Sequence, residues 1–200
     1  MIDNIFLKYG KDPVGLFKTW LAEAEKSEIN DPNAMALATV SPEGKPEVRM
    51  VLLKDANERG FTFFTNLESA KGQSLAAHPY AELNFHWKSL QKQIRIAGPV
   101  VKTTDEEANA YFASRRRESQ LGAWASSQSR ALDSYEDFEQ LVAAMGQKFA
   151  GRDIPRPPHW GGYRVVPERM EFWIGHPDRL HKRFVYIKNG EEWTANWLFP

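Results

Sequence analysis

The feature that most constrains this chain is a succession of short runs with strand character, separated by turn chemistry. They cover residues 34–40, 47–54, 61–65, 80–87 and 91–101, then 162–166 and 169–174. Ser41-Pro42-Glu43-Gly44 and residues 57–60 supply early turns. A last pair, 183–188 and 191–198, flanks Asn189-Gly190, the signal for a two-residue type I′ hairpin. Helical spacing is inserted among these runs instead of alternating with them. Asp12-Pro13 reads as an N-cap with proline at the first helical position, followed by Leu16, Phe17, Trp20, Leu21 and Ala24 over roughly 13–27. Residues 69–78 read as a short helix. Thr104 with Glu107 forms a capping box ahead of Ala108, Tyr111 and Phe112, and Ser134 with Asp137 opens a helix reaching about residue 150. Such a pattern predicts a mainly β, antiparallel barrel with three or four inserted helices, in preference to βα units. One domain is expected, with 1–30 as an N-terminal arm and helix and 31–200 as the barrel.

Composition narrows the function classes. Lys and Arg total 26 against 26 Asp and Glu, a neutral balance that argues against a general nucleic-acid binder. No window resembles a membrane span and the N-terminus lacks a signal sequence, so a soluble, cytoplasmic protein without membrane partners is expected. The absence of cysteine excludes disulfides, thiolate catalysis and Cys-ligated metals, so any redox chemistry must come from a bound cofactor. Glycine-rich nucleotide loops, zinc-binding H-E-x-x-H and the G-x-S-x-G elbow are all missing. His176 and His181, separated by Pro177, make a poor metal pair, and no metal site is expected.

What remains is a set of basic and hydroxyl clusters. Alternation across Arg49-Met50-Val51-Leu52-Leu53-Lys54 places Arg49, Val51 and Leu53 on one strand face and Met50, Leu52 and Lys54 on the other. Ser114-Arg115-Arg116-Arg117-Glu118-Ser119-Gln120, at the end of the Thr104 helix, either binds a phosphate through guanidinium forks and hydroxyls or complements the helix dipole. Ser126-Ser127-Gln128-Ser129-Arg130 is too polar for a core strand. Gln91, Gln93 and Arg95 give one strand a polar face, and Arg179, His181 and Arg183 are expected on one face of a later strand. Charge separates accordingly: residues 111–130 carry four arginines against Glu118, whereas 131–147 carry four acids and no cation.

Six segments in this order resemble the FMN-dependent pyridoxine/pyridoxamine 5′-phosphate oxidases: Arg49 to Lys54, Phe63-Phe64-Thr65-Asn66, Ser119-Gln120-Leu121-Gly122-Ala123-Trp124-Ala125-Ser126, Pro158-His159-Trp160-Gly161-Gly162-Tyr163, Glu171-Phe172-Trp173 and Arg179-Leu180-His181. The resemblance spans about residue 33 to 200. It implies a Greek-key type, FMN-binding split barrel and a homodimer with FMN at the interface. It also implies oxidation of either phosphorylated vitamer by O₂ to pyridoxal 5′-phosphate and hydrogen peroxide, with ammonia released from the amine. Carried over by position, Arg49, Met50, Val51, Leu52, Leu53, Lys54, Phe64, Thr65, Lys71, Gln93, Gln128, Ser129, Trp173 and Arg183 would hold FMN. Lys54, Tyr111, Arg115 and Ser119 would hold the substrate phosphate. Arg179 and His181 would be catalytic, Arg179 against the pyridine ring and His181 binding a ring substituent or helping proton movement. A flavin- or pyridoxal-phosphate-binding carrier and a split-barrel flavin reductase are the alternatives. Four departures from the family pattern stand out. Residues 1–11 hold no arginine, Ala70 and Arg116 replace a usual arginine and a usual proline, and the chain ends Asn196-Trp197-Leu198-Phe199-Pro200.

Overall fold

The computed structural model describes residues 9–200, so most of the arginine-free N-terminal stretch lies outside the described residues. Ten strands form one curled sheet: β1 (Ala34–Val40), β2 (Pro46–Leu52), β3 (Asp55–Asn57), β4 (Gly60–Asn66), β5 (Tyr80–Trp87), β6 (Lys92–Lys102), β7 (Trp160–Val165), β8 (Arg169–Ile174), β9 (Lys182–Asn189) and β10 (Glu192–Leu198). Among the described residues the helices are α1 (Pro13–Ser27), α2 (Ala70–Ala77), α3 (Asp105–Ser114), α4 (Arg117–Ala125) and α5 (Tyr135–Lys148).

Every strand pairing is antiparallel, in the order β10-β9-β8-β6-β5-β1-β2, with β7, β4 and β3 continuing from the far end of β6. The eleven-residue β6 makes this possible. Residues 92–97 pair with β5 and β8 at once, while Val100, Val101 and Lys102 turn away to pair with β7. The result is the expected split barrel.

Helix α1 begins as its sequence dictates: Pro13 opens it and the Asp12 carboxylate accepts the Gly15 amide at 2.8 Å. Its apolar stripe of Leu16, Phe17, Trp20 and Ala24 is fully buried in the barrel core. Phe17 meets Phe61 and Phe85 edge-on, and Trp20 meets Phe172 the same way. Each such side chain stabilises the fold by about 1.5–3 kcal/mol through burial. A second, smaller core of Phe112, Phe149, Ile154 and Trp160 lies beneath α3, α4 and α5.

Two local expectations change. Asn189 is still a strand residue paired with Glu192, so the hairpin loop is Gly190-Glu191. Only Gly190 has positive φ, at 62°, which is the type II′ pattern rather than I′. The arginine cluster does not end the Thr104 helix either. Arg115 and Arg116 are extended and break the chain between α3 and a separate helix α4.

Candidate active site

The break between α3 and α4 opens a cleft of about 590 Å³ against β2 and β4. Its walls include Met50, Val51, Leu52 and Lys54, then Phe64, Thr65 and Lys71, and finally Tyr111, Arg115, Arg116, Ser119, Gln128 and Trp160. The apolar part is an aromatic stack: Phe64 lies parallel to Tyr111 at 4.3 Å and to Trp160 at 5.4 Å. The Arg115 guanidinium sits over Trp160 at 4.9 Å, and Lys54 Nζ stands 5.8 Å from the Tyr111 ring. An adjoining hollow of about 390 Å³ shares Phe64, Thr65, Arg115, Ser119, Gln128 and Trp160 and extends to Asn66 and Phe138.

The charge of this cleft is one-sided. Lys54, Lys71, Arg115 and Arg116 line it, and among the described residues no carboxylate does. Burial pushes the Arg115 guanidinium below its ordinary value, and its Nη1 is buried with no hydrogen-bond partner among the described residues. Burial, reinforced by the charge of Arg49, likewise lowers the Lys71 ammonium. Lys71 Nζ donates to Thr65 Oγ1 at 3.1 Å, Ser69 Oγ at 3.3 Å and Gln128 Oε1 at 2.9 Å, and all three acceptors are neutral. Such a set calls for an anion. A planar aromatic wall beside hydroxyls, amides and cations suits a flat ring system carrying phosphate, which is the chemistry of FMN and of a phosphorylated pyridine.

The three consecutive arginines separate in role. Arg115 faces the cleft. Arg116 lies at its mouth, 89% exposed. Arg117 donates to the carbonyls of Phe149 and Arg152, tying the start of α4 to the end of α5. Arg49 lies behind the cleft, donating to Thr39 Oγ1 at 2.5 Å and pairing with Glu47 at 2.9 Å. Leu53 is in the barrel core, and Ser129 is exposed with φ at 71°.

The remaining expected residues form a second group. Gln93, Trp173 and Arg183 are direct cross-strand neighbours on β6, β8 and β9. The His181 ring packs on Trp173 at 4.6 Å, and both line a separate depression of about 320 Å³ with His86, Gln91 and His176. In the sheet order β8 is separated from β2 by β6, β5 and β1. One chain therefore presents these residues as two separate groups. Arg179 departs from the expected strand face: β9 starts only at Lys182, and Arg179 sits in the preceding turn with φ at 58°, its amide bonded to the His176 carbonyl. The Pro177-Asp178 turn interrupts the alternation there.

Two residues escaped sequence reasoning. Trp160, central to the aromatic stack, stands out in the sequence only within the segment Pro158-His159-Trp160-Gly161-Gly162-Tyr163. Glu171 is 2% exposed on the outer face of β8, where Arg183 and Arg169 reach its carboxylate. Burial opposes its ionisation, but the hydrogen bonds and charges of those two arginines outweigh it and hold the carboxyl below its ordinary value.

The fold and the cleft define the class: a split-barrel protein with a cationic, aromatic-walled cleft. The family described as pyridoxamine 5′-phosphate oxidase matches residues 21–173, and that of the pyridoxine 5′-phosphate oxidase C-terminal dimerisation region matches 160–200. The chain belongs to the pyridoxamine 5′-phosphate oxidase family. It is 55% identical, over the full length of both chains, to the pyridoxine/pyridoxamine 5′-phosphate oxidase of Gluconobacter oxydans. The enzyme of the same name from Rhodospirillum rubrum is 56% identical, with 95% of this chain and 97% of that one covered. Among solved structures, PhzG from Burkholderia lata, in complex with tetrahydrophenazine-1-carboxylic acid, superposes with a TM-score of 0.89 at 33% identity, covering 95% of this chain and 93% of that one. A pyridoxamine 5′-phosphate oxidase-related FMN-binding protein from Nostoc punctiforme shares the fold, with a TM-score of 0.75 at 20% identity and coverage of 94% and 98%.

Proposed function

We propose that the protein oxidises pyridoxine 5′-phosphate and pyridoxamine 5′-phosphate to pyridoxal 5′-phosphate, using FMN and O₂ and releasing hydrogen peroxide. The observation that carries this reading is the cleft itself, where four cations face a stacked aromatic wall with no carboxylate among the described lining residues. Relatives of the same name at 55–56% identity support the substrate class.

The separation of the two groups supports a homodimer in which each site takes one half from each copy. An apolar patch on the outer sheet face supports the same arrangement. Val48 and Met50 are 69% and 63% exposed, and the alanines of β1 lie beside them in register. The patch borders the cleft through Met50 and Leu52.

FMN, when bound, supplies a two-electron acceptor that O₂ regenerates. Arg49, Met50, Val51, Leu52, Leu53, Lys54, Phe64, Thr65, Lys71, Gln128 and Ser129 of one copy would hold it, with Gln93, Trp173 and Arg183 of the other. Arg115, Ser119, Tyr111 and Lys54 hold the substrate phosphate. Because that group does not react, they bind ground and transition states alike and act mainly on KM. Arg179 holds the pyridine ring in place, and His181, braced on Trp173, binds a ring substituent or moves a proton.

Purified protein should absorb in the flavin bands, and each phosphorylated vitamer, added without oxygen, should bleach them. That bleaching should already release one pyridoxal 5′-phosphate per flavin, and readmitting O₂ should restore the colour and yield one peroxide per flavin reoxidised. A yellow protein that forms neither product from either vitamer would overturn the reading.

A further inference from the structure

We propose that Glu171 is a positioning residue for the cofactor: its buried carboxylate fixes the plane of Arg183, so that this guanidinium meets FMN already immobilised. The inference rests on the proposed contact between Arg183 and FMN.

Glu171 Oε1 accepts Arg183 Nε at 2.8 Å and lies 2.7 Å from Arg183 Nη2. Two nitrogens of one planar group on a single oxygen set the tilt of the guanidinium. Its third nitrogen, Nη1, donates to the Phe199 carbonyl at 3.1 Å. Glu171 Oε2 is taken by Arg169 Nη2 at 2.6 Å, with Arg95 Nη1 at 3.7 Å, and Arg95 in turn is anchored by Glu82 at 2.5 Å. Arg183 is the cross-strand neighbour of Trp173, while Glu171 lies two residues before that tryptophan on the same strand.

A carboxylate buried under several guanidiniums is weak as a source of stability, because well-packed apolar residues stabilise such a place equally well. It is effective as a source of orientation. Arginine carries much rotamer freedom, and a ligand that must freeze it loses affinity. Here the folded chain has already frozen it. The charge balance is also suited to an anion: Arg95, Arg169 and Arg183 against Glu82 and Glu171 leave one positive charge in excess.

The test measures FMN dissociation constants by flavin fluorescence quenching on the full chain freed of flavin, with circular dichroism to verify folding. Arg183→Gln and Glu171→Gln should each weaken FMN binding about tenfold, the effect of one impaired charge-assisted hydrogen bond. The double variant should be no worse than Arg183→Gln alone, because both changes remove the same contact. Arg169→Gln, which takes an ion pair from the same carboxylate without touching Arg183, should bind FMN as the native chain does. Native FMN affinity in Glu171→Gln beside a weakened Arg183→Gln overturns the positioning role and leaves the contact standing. Additive losses in the double variant, or an equal loss in Arg169→Gln, overturn it too. Native affinity in Arg183→Gln removes the contact itself and the positioning role with it. Should Glu171→Gln not fold, Glu171→Asp keeps the charge, withdraws it by one methylene and should give a smaller loss in the same direction; native affinity there overturns the proposal.

Discussion

Two basic regions of this molecule treat their cations in opposite ways. In the cleft between β2, β4 and α4, Lys54, Lys71, Arg115 and Arg116 face a space with no carboxylate among the described lining residues. On the sheet face formed by β6, β8 and β9, Arg95, Arg169 and Arg183 converge on the buried Glu171. The first region keeps charge available and leaves Arg115 Nη1 without a partner among the described residues. The second spends most of its charge internally and gains fixed geometry. A count of basic residues cannot separate these cases, but the location of the nearest carboxylate can.

The comparison can be broken most decisively at Arg179, an arginine of the second group that lies outside the Glu171 cluster. Arg179→Leu should lower kcat about a hundredfold, the scale of a misplaced reacting geometry, and leave FMN binding intact. Equal losses in both would put Arg179 among the cofactor ligands. Next in size, Arg115→Ala removes a charged hydrogen bond worth roughly 1.5–3 kcal/mol, so KM should rise about tenfold to a hundredfold with kcat little changed. An unchanged KM would move the phosphate site elsewhere.

Lys71 sharpens the contrast through pH. In the free protein its ammonium lies below the ordinary lysine value of 10.5, and a bound phosphate raises it again. Binding therefore takes up a proton at alkaline pH. FMN affinity should fall as pH climbs through the depressed value toward the ordinary one, and Lys71→Met should flatten that decline. The smallest effect is that of salt. Added ions should raise KM for the phosphorylated substrate by screening the open cleft, yet hardly alter the melting temperature contributed by the buried Glu171 cluster. A melting temperature that falls as steeply as KM rises would erase the distinction between the two regions.

Local chemistry made much of the fold legible in the sequence. Alternation and turn residues mark most of the strands, Asp12-Pro13 marks α1, and the capping box is formed as read, with the Glu107 amide on Thr104 Oγ1 at 3.2 Å and the Thr104 amide on Glu107 at 3.1 Å. Helix α4 escaped because nothing punctuates its start: the break before it falls at Arg115 and Arg116, without glycine or proline. The candidate site was legible as clusters and as a family resemblance, whereas the separation of its residues into two groups on one chain was not. Which group a residue joins depends on strand order, and the neighbours Gln93, Trp173 and Arg183 come from three runs 80 and 10 residues apart in sequence. Likewise Glu171 appears in sequence as one acid in a strand, and only register shows the arginines around it.

The proposed sharing of each site between two copies has a genetic consequence. When two copies share each site, a lesion in the cleft and a lesion in the β6-β8-β9 row belong to different complementation groups although one polypeptide encodes both. In a mixed dimer of Arg115→Ala and Arg183→Gln chains, both lesions fall in the same site and the other site is intact. Random pairing of equal amounts leaves about one site in four whole, so at limiting substrate and FMN a cell carrying both weakened alleles is more active than one carrying either alone.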